Sequence, residues 1–266
     1  MVDWGVSERQ QMLQRLNTSH APPTYRYLRQ LVEQWLISIP FHNIDLLNEE
    51  SPVEHHKAAA NCLNGRGGGC HVHAAGFCAL IQSLGFSASL ASATIGAPED
   101  HLLVTVVIGH ERYWVDVGNG QPYIQPFPSS KATLLTHLGW TIRTTPVESG
   151  ILLERTSADQ PQWRTVYTTT NINKRWRDFS DAIERHHTES GFGPFLNGLR
   201  VVDIGPTRIR TLRDDVLTEY NGRAFHKTRL QSEDAIAEMA AQLVSGPKRA
   251  RNAVRRWFQR SQSVPS

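Results

Sequence analysis

Cysteine is scarce in this chain: only Cys62, Cys70 and Cys78 occur in 266 residues. So small and odd a number excludes a disulfide framework and suits free thiols in a reducing compartment. Long apolar runs are missing too, and none reaches the roughly 20 residues that span a bilayer. Residues 1–10 lack the basic-then-apolar pattern of a secretory leader. Together these absences predict a soluble cytoplasmic protein with no membrane partner. No internal repeat and no low-complexity segment is present, so the chain is neither a solenoid nor a biased polymer. Acids are absent from residues 247–266, where Lys248, Arg249, Arg251, Arg255, Arg256 and Arg260 stand. Setting those six aside leaves 22 basic residues against 25 acidic in the body of the chain. The positive charge is too local for a nucleic-acid binder. It predicts an anionic partner for a basic tail, with a solvated terminal helix as the plain alternative.

An apolar content of 39% and a charged content of 20% are globular values, and the length allows one to three domains. The stretch that organises the rest is Arg66-Gly67-Gly68-Gly69-Cys70-His71-Val72-His73. Three glycines let the backbone turn tightly. Val72, Ala75, Phe77, Ala79, Leu80 and Leu84 then predict a mostly buried helix that stops at Gly85. A thiol in the first turn sits at the positive end of the helix dipole, which favours the nucleophilic thiolate. Cys70 is therefore a candidate reactive cysteine.

Upstream, residues 7–38 predict two helices, the second opening near Pro22-Pro23-Thr24 and ended by Ile39-Pro40-Phe41. A third is predicted over 53–64. Beyond Phe86 the pattern changes to strands over 88–95, 102–108 and 113–117, the last two joined by a hairpin at Gly109-His110-Glu111-Arg112. Shorter strands follow at 141–144, 151–154 and 163–168, then a helix over 176–185 and a hairpin over 206–220. Ser232 caps a final helix that ends at Gly246-Pro247.

A thiolate nucleophile needs a base, and the base needs a group that fixes its tautomer. His101 opens the strong strand and Asp116 closes its hairpin partner, so the two strand ends meet side by side. Singly, each residue has an ordinary reading: a structural cysteine, a surface histidine, an aspartate of turn chemistry. The order of loop, strand and hairpin is what makes them a site. Cys70, His71 and His73, like His55-His56, have no second ligand pair at structural-zinc spacing, so no metal is expected. Glu99 and Asp100 are read as exposed loop acids, and His186 and His187 as surface residues at a helix end.

These motifs are similar to those of the arylamine N-acetyltransferases. Arg66-Gly67-Gly68-Gly69-Cys70 resembles the family's nucleophile motif, and Leu84-Gly85-Phe86 follows at the expected distance. Ile39-Pro40-Phe41-His42-Asn43 resembles its Ile-Pro-Phe-Glu-Asn segment, and Val115-Asp116-Val117-Gly118-Asn119-Gly120 its Val-Asp-Val-Gly-Phe-Gly segment. Pro194-Phe195 and the 211–220 hairpin resemble its lid. The resemblance implies an α+β multidomain fold: a helical bundle over 1–86, an antiparallel β-barrel over 87–190, an α/β lid over 191–246, and the basic tail over 247–266. It also implies a cysteine-protease-like Cys70-His101-Asp116 site that moves an acyl group, acetyl above all, from a thioester such as acetyl-CoA to a small-molecule aromatic amine. Phe41, Gly69, Gly118, Asn119 and Gly120 are implied around the substrate. The chain departs from the family pattern at His42, Val72, Ala74 and Asn119. Some relatives instead form amides from chains held on an acyl carrier protein, and an acidic carrier would suit a basic tail. A cysteine hydrolase or transglutaminase-like enzyme shares the same residue order, and a non-catalytic binding protein of the same fold is the remaining alternative.

Overall fold

The computed structural model describes residues 2, 4–170 and 172–263. The last three residues of the expected tail, and Met1, Asp3 and Asn171, lie outside the described residues. Helix α1 (Val6–Arg15) leads into α2 (Tyr25–Ser38), whose first turn is capped by the Thr24 hydroxyl accepting the Tyr27 N–H at 3.3 Å. Ile39, extended ahead of Pro40, ends α2. Tyr27, Leu28, Leu31, Val32, Trp35 and Leu36 form its buried face. Strand β1 (Phe41–His42), the single turn α3 (Ile44–Leu47) and α4 (His55–Leu63) follow. Helix α5 (Cys70–Ser83) is buried on every side from Val72 to Ile81, so it is apolar all round rather than striped.

An eight-stranded antiparallel sheet comes next. It comprises β2 (Ser87–Thr94), β3 (His101–Ile108), β4 (Glu111–Val115), β5 (Phe127–Pro128), β6 (Thr133–His137), β7 (Trp140–Val147), β8 (Gly150–Ser157) and β9 (Gln160–Thr169). Its order is β5-β4-β3-β2-β9-β8-β7-β6, and it curls into a nearly closed barrel. Trp114, Tyr123, Phe127, Ile142, Leu153 and Tyr167 fill the interior. Strand β3 separates two cores: Leu103 points into the barrel, while Leu102, Val104 and Val106 join the core around α5. A strand covered on both faces favours a near-continuous apolar run, which residues 102–106 supply apart from Thr105.

A short 3-10 turn (Trp176–Phe179) and α6 (Ser180–Thr188) lead to the second sheet. This sheet is formed by β10 (Arg200–Ile204), β11 (Ile209–Arg213), β12 (Val216–Tyr220) and β13 (Phe225–Arg229), with β1 paired to β10 at its edge. Phe41 lies opposite Val202, so a strand from the first 86 residues completes a sheet formed otherwise after residue 199. Helices α7 (Glu233–Leu243) and α8 (Pro247–Ser263) cover its other face.

Helix α8 differs from the expected free basic tail. Ala250, Ala253, Val254 and Trp257 are buried against α7, α3 and the sheet. Its cations pair within the chain: Arg249 with Asp45 and Glu50, Arg251 with Glu238, and Arg256 and Arg260 with Glu49. Spacing of i, i+3, i+4 and i+7 places the apolar residues on one face, and that face docks.

Candidate functional site

Cys70 is the first residue of α5, with Gly69 at the N-cap in an extended conformation. Gly67 adopts φ +69°, and a Cβ there would lie 2.0 Å from the Pro40 carbonyl oxygen, so the loop requires glycine. The loop is clipped to β1: the His42 N–H donates to the Gly68 carbonyl at 3.0 Å. His42 itself is buried. Its Nδ1 accepts the Ile44 N–H at 3.3 Å, which leaves Nε2–H to donate to the Arg66 carbonyl at 2.7 Å. Burial pushes its pKa down, in keeping with that neutral tautomer. The Arg66 guanidinium turns outward to Glu50, at 2.5 Å, and Asp45, at 3.3 Å.

His73 braces the next turn of α5. Its Nδ1 accepts the Trp35 indole N–H at 3.0 Å, so Nε2–H donates to the Pro40 carbonyl at 3.1 Å. Burial lowers its pKa to about 4, leaving a neutral strut between α2, α5 and β1. His71 is likewise lowered to about 3 by burial, with His187 and His186 adding to the effect. Among the described residues, no group of three or more His, Cys, Asp or Glu is placed to hold a metal ion.

The strand ends bring the other two residues in. His101 Nε2 and Asp116 Oδ2 are 3.0 Å apart, and both side chains are almost wholly buried. The other ring nitrogen remains for the Cys70 sulfur, which hydrogen-bonds His101. The second Asp116 oxygen accepts the Gly118 N–H at 3.0 Å, so the turn after β4 fixes the carboxylate. Gly118 also approaches Cys70 closely: a Cβ there would lie 2.8 Å from the Cys70 Cα. Burial alone would strip a proton from His101. The charge of Asp116 and the hydrogen bonds to Asp116 and Cys70 outweigh it and raise the pKa to about 10. The ring is therefore an imidazolium at neutral pH.

A cleft of about 420 Å³ opens beside Cys70 and His101, within the range of small-molecule sites. Phe41, Gly118, Asn119 and Gly120 line it. Gly69 does not; it lines a space of only about 30 Å³ on the other side of Cys70, together with His71. The Gly118 N–H is already taken by Asp116, so this glycine serves the site through close approach rather than as a donor.

Two expectations are corrected. Asp100 is buried rather than an exposed loop acid: its carboxylate accepts the N–H groups of Ile95, Gly96 and Ala97, each at 2.8 Å. His186 is buried rather than on the surface, 2.8 Å from the Asp100 carbonyl and 3.2 Å from that of Phe192. These contacts hold the segment that leads into His101. Sequence reasoning also missed the guanidiniums of Arg155, Arg200 and Arg213 in the cleft wall. Strand alternation puts Arg200 with Val202 and Thr211 with Arg213, but nothing local says what those faces meet.

A family model described as N-acetyltransferase matches residues 24–244. The solved arylamine N-acetyltransferase from Mycobacterium abscessus aligns with a TM-score of 0.80 at 23% identity, covering 97% of this chain and 99% of its own. The Nocardia farcinica arylamine N-acetyltransferase gives 0.80 at 23%, covering 95% of each chain. The Mycobacterium marinum arylamine N-acetyltransferase in complex with CoA gives 0.80 at 20%, covering 92% of this chain and 97% of its own. No curated protein matches. At these identities the likeness to the solved structures is one of fold.

Proposed function

Because the chain belongs to the arylamine N-acetyltransferase family and is thereby an acyltransferase, we propose that it moves an acetyl group from acetyl-CoA to an aromatic amine through an acyl-Cys70 intermediate. The observation that carries the proposal is the buried chain of hydrogen bonds from Cys70 through His101 to Asp116 at the floor of an open cleft. The CoA bound by the Mycobacterium marinum protein supports that donor.

With the proton of the pair on His101, the sulfur attacks the thioester carbonyl as a thiolate. The negative oxygen that forms lies at the start of α5, where the first-turn N–H groups have no intrahelical partner. The carbon–sulfur bond to coenzyme A breaks, and the departing sulfur takes the proton from His101. The amine nitrogen then attacks the acyl carbon and gives a proton to the now neutral His101. Breaking the Cys70–acyl bond releases the amide and restores the thiolate–imidazolium pair. Asp116 holds the ring in place and stabilises its charge throughout.

The acyl-carrier alternative drew on the basic tail. Arg249, Arg251, Arg256 and Arg260 of α8 pair with acids of the same chain, and Asn119 lines the cleft. Cys70→Ser should abolish amine acetylation and keep the wild-type circular dichroism and unfolding midpoint. Retained turnover would overturn the nucleophile assignment.

A further inference from the structure

The lid side of the cleft is one face of the β10–β11 pair. In register, Val202 lies opposite Thr211 and Arg200 opposite Arg213, and all four residues line the cleft. The other face, with Val201 and Leu212, is buried under α7 and α8. Two guanidiniums directly opposed on an antiparallel pair repel each other. Arg155, on β8, adds a third cation to the same wall.

Little in the wall answers this charge. Among the described residues the one carboxylate lining the cleft is Asp100, and both its oxygens are occupied by backbone N–H groups. Asp214 pairs with Arg200 at 2.9 Å and also accepts the Leu199 N–H. The Arg200 Nε–H is buried without a partner among the described residues. Arg213 is solvent-exposed at the cleft wall and forms no ion pair among the described residues; partial desolvation and the Arg200 charge pull it below the ordinary guanidinium value, with Asp214 opposing them. Two guanidiniums side by side in the cleft wall, one of them with no ion pair among the described residues, present the planar donors that recognition of a carboxylate or phosphate uses.

We propose that Arg200 and Arg213 form an anion-binding subsite of the acyl-transfer cleft, and that one of the two substrates is held there by a carboxylate or phosphate group. This rests on the acyltransfer reading of the same cleft. The anion has two possible sources, a carboxylate on the amine acceptor and the phosphates of the coenzyme A donor.

Equilibrium binding to the full-length Cys70→Ser chain separates them, since no turnover occurs. The probes are 4-aminobenzoate, coenzyme A and, as the uncharged reference, aniline. Adding Arg213→Gln should weaken at least one anionic probe by about ten-fold or more, the scale of a lost charge-assisted hydrogen bond. Aniline should bind as before, Arg213→Lys should recover part of the loss, and raising the salt should narrow the difference. A loss confined to 4-aminobenzoate assigns the subsite to the acceptor; one confined to coenzyme A assigns it to the donor. If neither anionic probe binds, if both bind Arg213→Gln undiminished, or if aniline weakens equally, the subsite is refuted. Acylation of Cys70 is scored separately on the wild-type chain, so the reaction can fail while the subsite stands, and the reverse.

Discussion

His101 keeps a proton that its burial alone would remove. The pKa is raised from the ordinary 6.5 to about 10, with Asp116 the chief opposing influence. A group raised on folding contributes stability that is complete below pH 6.5 and is lost as pH climbs through about 10. The urea midpoint should therefore fall between pH 7 and pH 10 more steeply in the wild type than in Asp116→Asn, where the partner charge is gone. Acylation by Asp116→Asn should drop by about two orders of magnitude or more. Parallel stability curves for the two proteins would contradict the charge assignment. At this scale the proximity of His101 and Asp116 was legible because a tight hairpin joins their strands, which brings the two strand ends side by side. Asp100 and His186 were misread because their burial depends on contacts that no local pattern records, such as the 2.8 Å approach of His186 to a carbonyl 86 residues away.

Among the elements, α8 shows how charge can mask packing. Its six cations drew attention, yet Ala250, Ala253, Val254 and Trp257 already stand at helical spacing in the sequence. Trp257→Ala should cost about 3–5 kcal/mol in chemical denaturation, the usual range for emptying a buried aromatic site. Arg256→Gln removes a largely exposed pair with Glu49 and should cost less than about 1 kcal/mol. The opposite ranking would mean that α8 is held by charge rather than by its apolar face. Strands β3 and β4 were legible from their β-branched residues and intervening turn. Strand β1 was not: it has two residues, and its partners in β10 lie some 160 positions away.

For the molecule as a whole, Cys70 sits where three separately built parts meet. Helix α5 supplies Cys70, the barrel edge supplies His101 and Asp116, and the β10–β11 face closes the cleft above them. The order of these parts could be read from the motifs. Closure of the barrel and the sharing of β1 between the helical region and the lid sheet could not, since both depend on register between distant segments. The other two thiols are kept apart from this junction: burial raises Cys62 strongly and pushes Cys78 up to about 12. The most direct measurement is the intact mass of the folded protein after incubation with acetyl-CoA, beside Cys70→Ser, with the adduct located by peptide mapping. A single acetyl group on Cys70 of the wild type, discharged on adding an aromatic amine and absent from the variant, is the expected result. A wild-type chain that gains no acetyl group, while its Cys70 still reacts with an alkylating agent, would contradict the proposed donor. An acetyl group carried by Cys70→Ser at the wild-type level would contradict the nucleophile.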